Sequence, residues 1–316
     1  MTPEQILAVP PRVLTQAQRE FYFAQGYLLV ENIIGEDWLR QLRAATQELV
    51  ERSRQVQQSD AIFDLEPDHS AAHPRLRRVS NPTEHHPAFW AYCNDSAMPD
   101  VVADLVGPDV KFHHSKLNFK WQRGGEAVKW HYDISFWPHT NYSPLTVGTY
   151  LYDCGPAQGP LGVIPRSHRL DGPMLSQYDA QGRWVGCLAE HDIAALDPAR
   201  AVYLDGPAGA LTLHNCRTVH GSARNDSDLG RPLLLYTLTS ADAFPYTVNP
   251  LKPLHDQQIL RGQRARFAHH DPRPCLLPPD WSQAYGSIFS LQSAAAATGA
   301  PPSRGVAAPG QTGHGE

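Results

Sequence analysis

The sequence predicts a mainly β fold with flanking helices: a double-stranded β-helix (jelly roll, cupin-like) buttressed by N-terminal α-helices. Three observations point there. Helical periodicity is confined to the first hundred or so residues. From Val110 to about Ser240 the chain becomes a series of short β-type runs separated by Gly, Pro and Asn, at 110–121, 127–137, 145–153, 161–164, 201–204, 210–214 and 233–239. No internal repeat divides that region, so the strands are expected to form one sandwich or barrel with the helices packed against it.

The elements follow in order. Residues 1–14 read as a loose, Pro-containing lead. Thr15-Gln-Ala-Gln18 has the form of a capping box, and Gly26 offers a helix stop. Tyr27-Leu-Leu-Val30 is strand-like. Glu36 to Val56 is expected to be helical, with Trp38, Leu42, Ala45 and Leu49 on one face and Arg40, Arg43 and Glu51 opposite. Residues 57–90 are polar and rich in Pro and His (His69, His73, His85, His86), and read as exposed loop. A third helix is expected over Ala97–Val106, ended by Gly107-Pro108. Residues 1–291 are taken as one domain, with its jelly-roll core at about 110–240, and 292–316 as a disordered Ala/Gly/Pro-rich tail.

Composition excludes several classes. Of 316 residues, 41% are hydrophobic and 19% charged, as in ordinary globular proteins. The formal net charge of -5, with no basic domain or tail, argues against nucleic-acid binding. No apolar run reaches the length of a membrane span, and the N-terminus lacks the features of a secretory leader. Five scattered cysteines without a C-x-x-C fit a reduced, cytoplasmic protein, monomeric or homodimeric. Lysine usage is uneven: Lys111, Lys116, Lys120 and Lys129 are four of only five lysines in the chain.

The chemistry is concentrated in Lys129-Trp-His-Tyr-Asp-Ile-Ser-Phe-Trp137, read as a strand. On a strand, His131 and Asp133 share a face, which is two-thirds of a 2-His-1-carboxylate triad for Fe(II). A second H-x-D, at His269 and Asp271, precedes Pro272 in a turn-like context and is set aside. Further on, a turn and strand lead to His220-Gly-Ser222, and Arg231 enters the strand beginning at Leu233. An Arg at that place presents a fixed fork of donors suited to a carboxylate.

These residues resemble the phytanoyl-CoA dioxygenase family of Fe(II)/2-oxoglutarate oxygenases over roughly 14–240. The resemblance lies in Gly26-Tyr-Leu-Leu-Val-Glu-Asn, in Trp130-His131-Tyr-Asp133, in Gly159-Pro-Leu-Gly-Val-Ile-Pro-Arg-Ser-His168, and in His220, Ser222 and Arg231. It implies an iron site of His131, Asp133 and His220. It also implies a 2-oxoglutarate site of Arg231 and Ser222, with Asn118 and Thr149 as further contacts. O2 would be the co-substrate, and a C–H bond of a small molecule would be hydroxylated or otherwise oxidised as 2-oxoglutarate is converted to succinate and CO2. A carboxylate at position 133 speaks for hydroxylation over halogenation. The sequence departs from the family pattern at Arg166, where Gly is usual; Arg166 either takes an unusual backbone conformation or reaches the site. His168 is read as structural.

For the substrate, strand parity puts Lys116, Asn118 and Lys120 on one face and Lys129 on the face of His131 and Asp133. With Trp121, Phe136, Trp137 and Tyr150 as apolar walls, this suggests a small, anionic substrate contacted by Lys120, Lys129, Ser135, Trp137 and Arg166. Two other classes are compatible with the scaffold. One is a non-catalytic cupin-like binding protein, the other a metal-dependent isomerase or hydrolase. Neither needs the anchor at Arg231.

Overall fold

The computed structural model describes residues 1–170, 177–179, 182–280 and 287–297. Two antiparallel sheets form its centre. Strands are numbered β1 Tyr27–Val30, β2 Phe63–Leu65, β3 Leu76–Ser80, β4 Val110–Lys120, β5 Val128–His131, β6 Leu145–Tyr150, β7 Leu161–Val163, β8 Val202–Leu204, β9 Leu211–Asn215, β10 His220–Ser222, β11 Arg231–Ser240 and β12 Ile259–Arg261. Helices are α1 Pro3–Leu7, α2 Gln16–Gln25, α3 Glu36–Ser53, α4 Pro87–Asp95, α5 Met98–Val106, α6 Glu190–Ala195 and α7 Ile288–Ala297. The larger sheet runs β1-β9-β6-β11-β4-β3-β2, with β12 pairing to β4; the smaller runs β5-β10-β7-β8.

Alternation along the strands divides the larger sheet into two faces. On one face Leu117, Val147, Leu213, Leu234 and Tyr236 join Leu42 and Leu49 of α3, Phe89 and Tyr92 of α4, and Leu105 of α5 in the main core. The helices thus cover one side of the sheet, as expected. The other face carries His114, Lys116, Asn118, Lys120, Thr146, His214, Arg231, Leu233 and Leu235, all lining one cavity with residues of the smaller sheet.

The predicted caps form as read. Thr15 and Gln18 close a reciprocal capping box, and Gly26 ends α2 at φ 85°. Several expectations change. Residues 1–14 are not wholly loose: Thr2 and Gln5 cap the short helix α1. Residues 57–90 are not loop throughout: β2 and β3 extend the large sheet beyond β4, and the start of α4 packs against it through Phe89. His69 there bonds backbone, with Nε2 3.1 Å from the Ser53 oxygen, and belongs to no metal cluster among the described residues. The strand expected over 127–137 ends at His131, and Asp133–Ser135 is a 3-10 turn. The segment expected to be disordered from 292 begins inside α7; residues 298–316 lie outside those described. Among the described residues, no helix is long and apolar enough to cross a membrane.

Candidate metal and co-substrate site

Pairing of β5 with β10 sets His131 opposite His220, with ring centroids 4.2 Å apart. The chain then turns, and Ile134 N–H donates to the Cys216 carbonyl at 2.9 Å. That turn, rather than strand parity, brings Asp133 back to the two rings. Asp133 Oδ1 lies 3.9 Å from His131 Nε2 and 3.8 Å from His220 Nε2. These separations are too long for hydrogen bonds, while one ligand atom from each residue falls within 4.8 Å of the others. All three side chains are buried.

The surroundings fix the ligand atoms. His131 Nδ1 is 2.8 Å from the Lys129 carbonyl and His220 Nδ1 2.9 Å from the Thr218 carbonyl, so each donates from Nδ1 and turns the Nε2 lone pair to the site. Burial pushes the His131 pKa down to about 4 and that of His220 well below the ordinary value. Burial opposes ionisation of Asp133, but His220, His214 and Lys116 outweigh it and hold the pKa well below the carboxylate range. Neutral imidazoles and an ionised carboxylate are the protonation states a divalent metal requires.

Behind Asp133 runs a row of side chains that sequence reading did not single out. His114, Thr237, Thr146 and His214 are cross-strand partners on β4, β11, β6 and β9. Thr146 Oγ1 donates to Asp133 Oδ2 at 2.9 Å and lies 3.1 Å from Thr237 Oγ1, which is 3.2 Å from His114 Nε2. His214 Nε2 lies 3.4 Å from the same Asp133 oxygen. Parity along each strand would have placed these residues inside; only the register shows that they form one row.

Arg231 opens β11 opposite Lys120. It is buried, and its Nη2 donates to the Gly159 carbonyl at 2.7 Å, presented by a left-handed turn at φ 64°. Among the described residues its Nε has no partner, and neither has Asn118 Oδ1. Ser222 and Asn118 line the same cavity. A buried guanidinium with spare donors beside a His-Asp-His cluster fits an acidic molecule that also reaches the metal.

Other predicted contacts fall elsewhere. Thr149 points to the helix side of the sheet, where its Oγ1 is 2.7 Å from Tyr92 Oη; alternation on β6 gives the cavity to Thr146 instead. Lys129 is exposed, with Nζ 3.5 Å from the Gln292 carbonyl. Ser135 is buried against the Tyr132 carbonyl, and Arg166 is exposed. Lys120 lines the cavity, but its ammonium donates to the carbonyls of Glu126 and Ala223. Trp137 and Phe136 are cavity walls, whereas Trp121 bonds the Leu76 carbonyl outside it. Among the described residues His269 and Asp271 share no metal-ready cluster, and Asp271 pairs with Arg273. The cavity also receives Arg78 of β3 and Ile288 and Phe289 of α7, none marked by a sequence motif.

Comparison with known proteins agrees with this arrangement. Residues 22–233 match the profile of the phytanoyl-CoA dioxygenase (PhyH) family. The chain belongs to this family. A probable alpha-ketoglutarate-dependent hypophosphite dioxygenase of Stutzerimonas stutzeri is 28% identical over 284 residues, covering 89% of this chain and 98% of that protein. The ectoine dioxygenase of Bordetella parapertussis is 25% identical over 252 residues, 76% of this chain and 79% of that one. In fold, the chain is similar to EctD from S. alaskensis with 2-oxoglutarate and 5-hydroxyectoine, with TM-score 0.60, 22% identity, and 89% and 94% of the two chains covered. This member of the PhyH family is an Fe(II)/2-oxoglutarate-dependent dioxygenase.

Proposed function

We propose that His131, Asp133 and His220 hold Fe(II), and that Arg231, with Ser222 and Asn118, holds the distal end of 2-oxoglutarate. The observation that carries this reading is the convergence, in one buried cavity, of three metal-ready ligands and an arginine with an unpartnered Nε. When bound, iron and 2-oxoglutarate supply the oxidising chemistry, with O2 consumed, succinate and CO2 released, and one oxygen atom passed to a small-molecule substrate. The chain's own residues do the rest. The Lys129 and Thr218 carbonyls orient the two imidazoles, and Thr146 holds one oxygen of Asp133 so that the other faces the ligand space. Phe136, Trp137, Ile288 and Phe289 exclude water.

The substrate is a small molecule bearing an anionic group. Lys116 faces the cavity from β4, and burial pulls its pKa down to about 8 against the opposing attraction of Asp133. The relatives named for hypophosphite and for ectoine act on small compounds that carry, respectively, a phosphorus oxyanion and a carboxylate. Succinate release by the iron-loaded protein against a panel of small anions tests the reading. Turnover above the substrate-free rate with at least one of them is expected. Turnover that responds only to neutral or cationic compounds would overturn the anionic assignment.

A further inference from the structure

Arg78 and Lys116 present a problem in charge. Arg78 is 2% exposed on β3, opposite Asn118 of β4, and Lys116 is two residues further along β4 on the same face. Diagonal neighbours of this kind lie roughly 7 Å apart at their backbones, within joint reach of one small group. Both line the cavity of the metal cluster. Among the described residues neither has a carboxylate partner or a hydrogen-bond acceptor, and the Arg78 Nε is buried without one. What Arg78 has is the ring of Phe289, 6.0 Å from its guanidinium carbon. Two neighbouring cations, Arg78 buried and Lys116 half-buried, are costly to hold together without an anion. Asp133, the one carboxylate among the described residues that line the cavity, is committed to the metal cluster. The cavity's other two cations are otherwise engaged: Arg231 is bonded to Gly159, and Lys120 to two backbone carbonyls.

We propose that Arg78 and Lys116 form a second oxyanion site, separate from Arg231, that takes the anionic group of the substrate under the cover of Phe289. This deepens the functional reading above and rests on it. The guanidinium offers a planar fork and the ammonium a point charge, which together suit a compact oxyanionic group, carboxylate or phosphorus oxyanion. Anchoring there fixes the rest of the substrate beside the iron cluster, and it explains why a cavity that already has an arginine for 2-oxoglutarate carries two further cations that the protein itself leaves without a carboxylate partner among the described residues.

The test uses full-length, iron-free protein with hypophosphite, inorganic phosphate and acetate as probes, followed by thermal unfolding. At least one probe is expected to raise the Tm of the wild type. Arg78→Met and Lys116→Met are each expected to weaken that response tenfold or more, without lowering the Tm of the anion-free protein, since each removes a charge that no carboxylate partners. In the same variants the absorption of the iron–2-oxoglutarate complex should form at concentrations within twofold of wild type. A response confined to the phosphorus anions assigns that source, and one confined to acetate assigns carboxylates. No response in the wild type, or equal responses in the variants, would overturn the site. Loss of the 2-oxoglutarate absorption in both variants would overturn it too, by giving the pair to the co-substrate. Should Arg78→Met fail to fold, Lys116→Met decides alone. A wild type that binds no 2-oxoglutarate refutes the functional reading; one that binds it but ignores all three anions refutes only this inference.

Discussion

The Thr146 hydroxyl helps to orient Asp133. Thr146 Oγ1 donates to its Oδ2, and Thr237 and His114 continue the chain across the sheet. Thr146→Val keeps the volume and removes the donor, so iron affinity is expected to fall by about tenfold with the fold intact. Anaerobic Fe(II) titration checks this; unchanged affinity would show that the turn after β5 holds Asp133 by itself. Arg166 is the residue at which the sequence departs from its family, and its φ of 67° shows why glycine is usual there. It is exposed, and its N–H donates to the Gln25 carbonyl at 2.8 Å, which holds the turn in the left-handed region whatever the side chain. Arg166→Gly is therefore expected to stabilise the protein by up to about 1 kcal/mol, read as a small rise in Tm, with activity unchanged.

At the scale of elements, α7 is what closes the cavity. Ile288 and Phe289 face inward, while Gln292 accepts from the Lys129 N–H at 3.0 Å and donates to the Gly186 carbonyl at 2.9 Å. Ser287 bonds Asp64 of β2. Ending the chain after residue 286 is expected to raise the substrate KM at least tenfold while 2-oxoglutarate still binds, because the Arg231 end of the cavity is built entirely from earlier strands. Steady-state kinetics with each substrate varied in turn separates the two effects; a parallel loss of both would mean that α7 supports the sheets rather than the pocket.

Elements with self-contained signals were legible in the sequence. Helices α2, α3 and α5 announce themselves by stop signals or apolar spacing, and β4, β9 and β11 by β-type runs set off by turn residues. The strand β3 does not: Leu-Arg-Arg-Val-Ser reads as polar because Arg78 is a cation buried in a cavity, which breaks the alternation rule that marks a strand. Strand parity places Asp133 beside His131 from the sequence alone, but a 3-10 turn is what carries it to the histidines. Thr149 turns away from the cavity; membership of a strand does not reveal which face looks inward until the register with β9 and β11 is known.

For the molecule as a whole, burial of histidine sets the response to acid. His131, His139 and His168 are each pushed by burial from 6.5 to about 4. The folded state therefore binds fewer protons than the unfolded chain between those values. Stability from these groups is complete above about pH 6.5 and is lost as pH falls towards 4. The Tm of the iron-free protein is expected to drop by more than about 5 °C between pH 7 and pH 4.5; a flat profile would contradict the neutral, buried state of these rings. Iron, by competing with protons for His131, should reduce the drop.

The central claim is that one cavity holds iron through His131, Asp133 and His220 and 2-oxoglutarate through Arg231. Its most direct test is anaerobic addition of Fe(II) and then 2-oxoglutarate to the apoprotein, watching for the metal-to-ligand charge-transfer absorption of the chelate. The account predicts a band in the wild type that is absent in His220→Ala and needs at least tenfold more 2-oxoglutarate in Arg231→Met. A folded wild type without the band at excess iron, or a band indifferent to both substitutions, would contradict it.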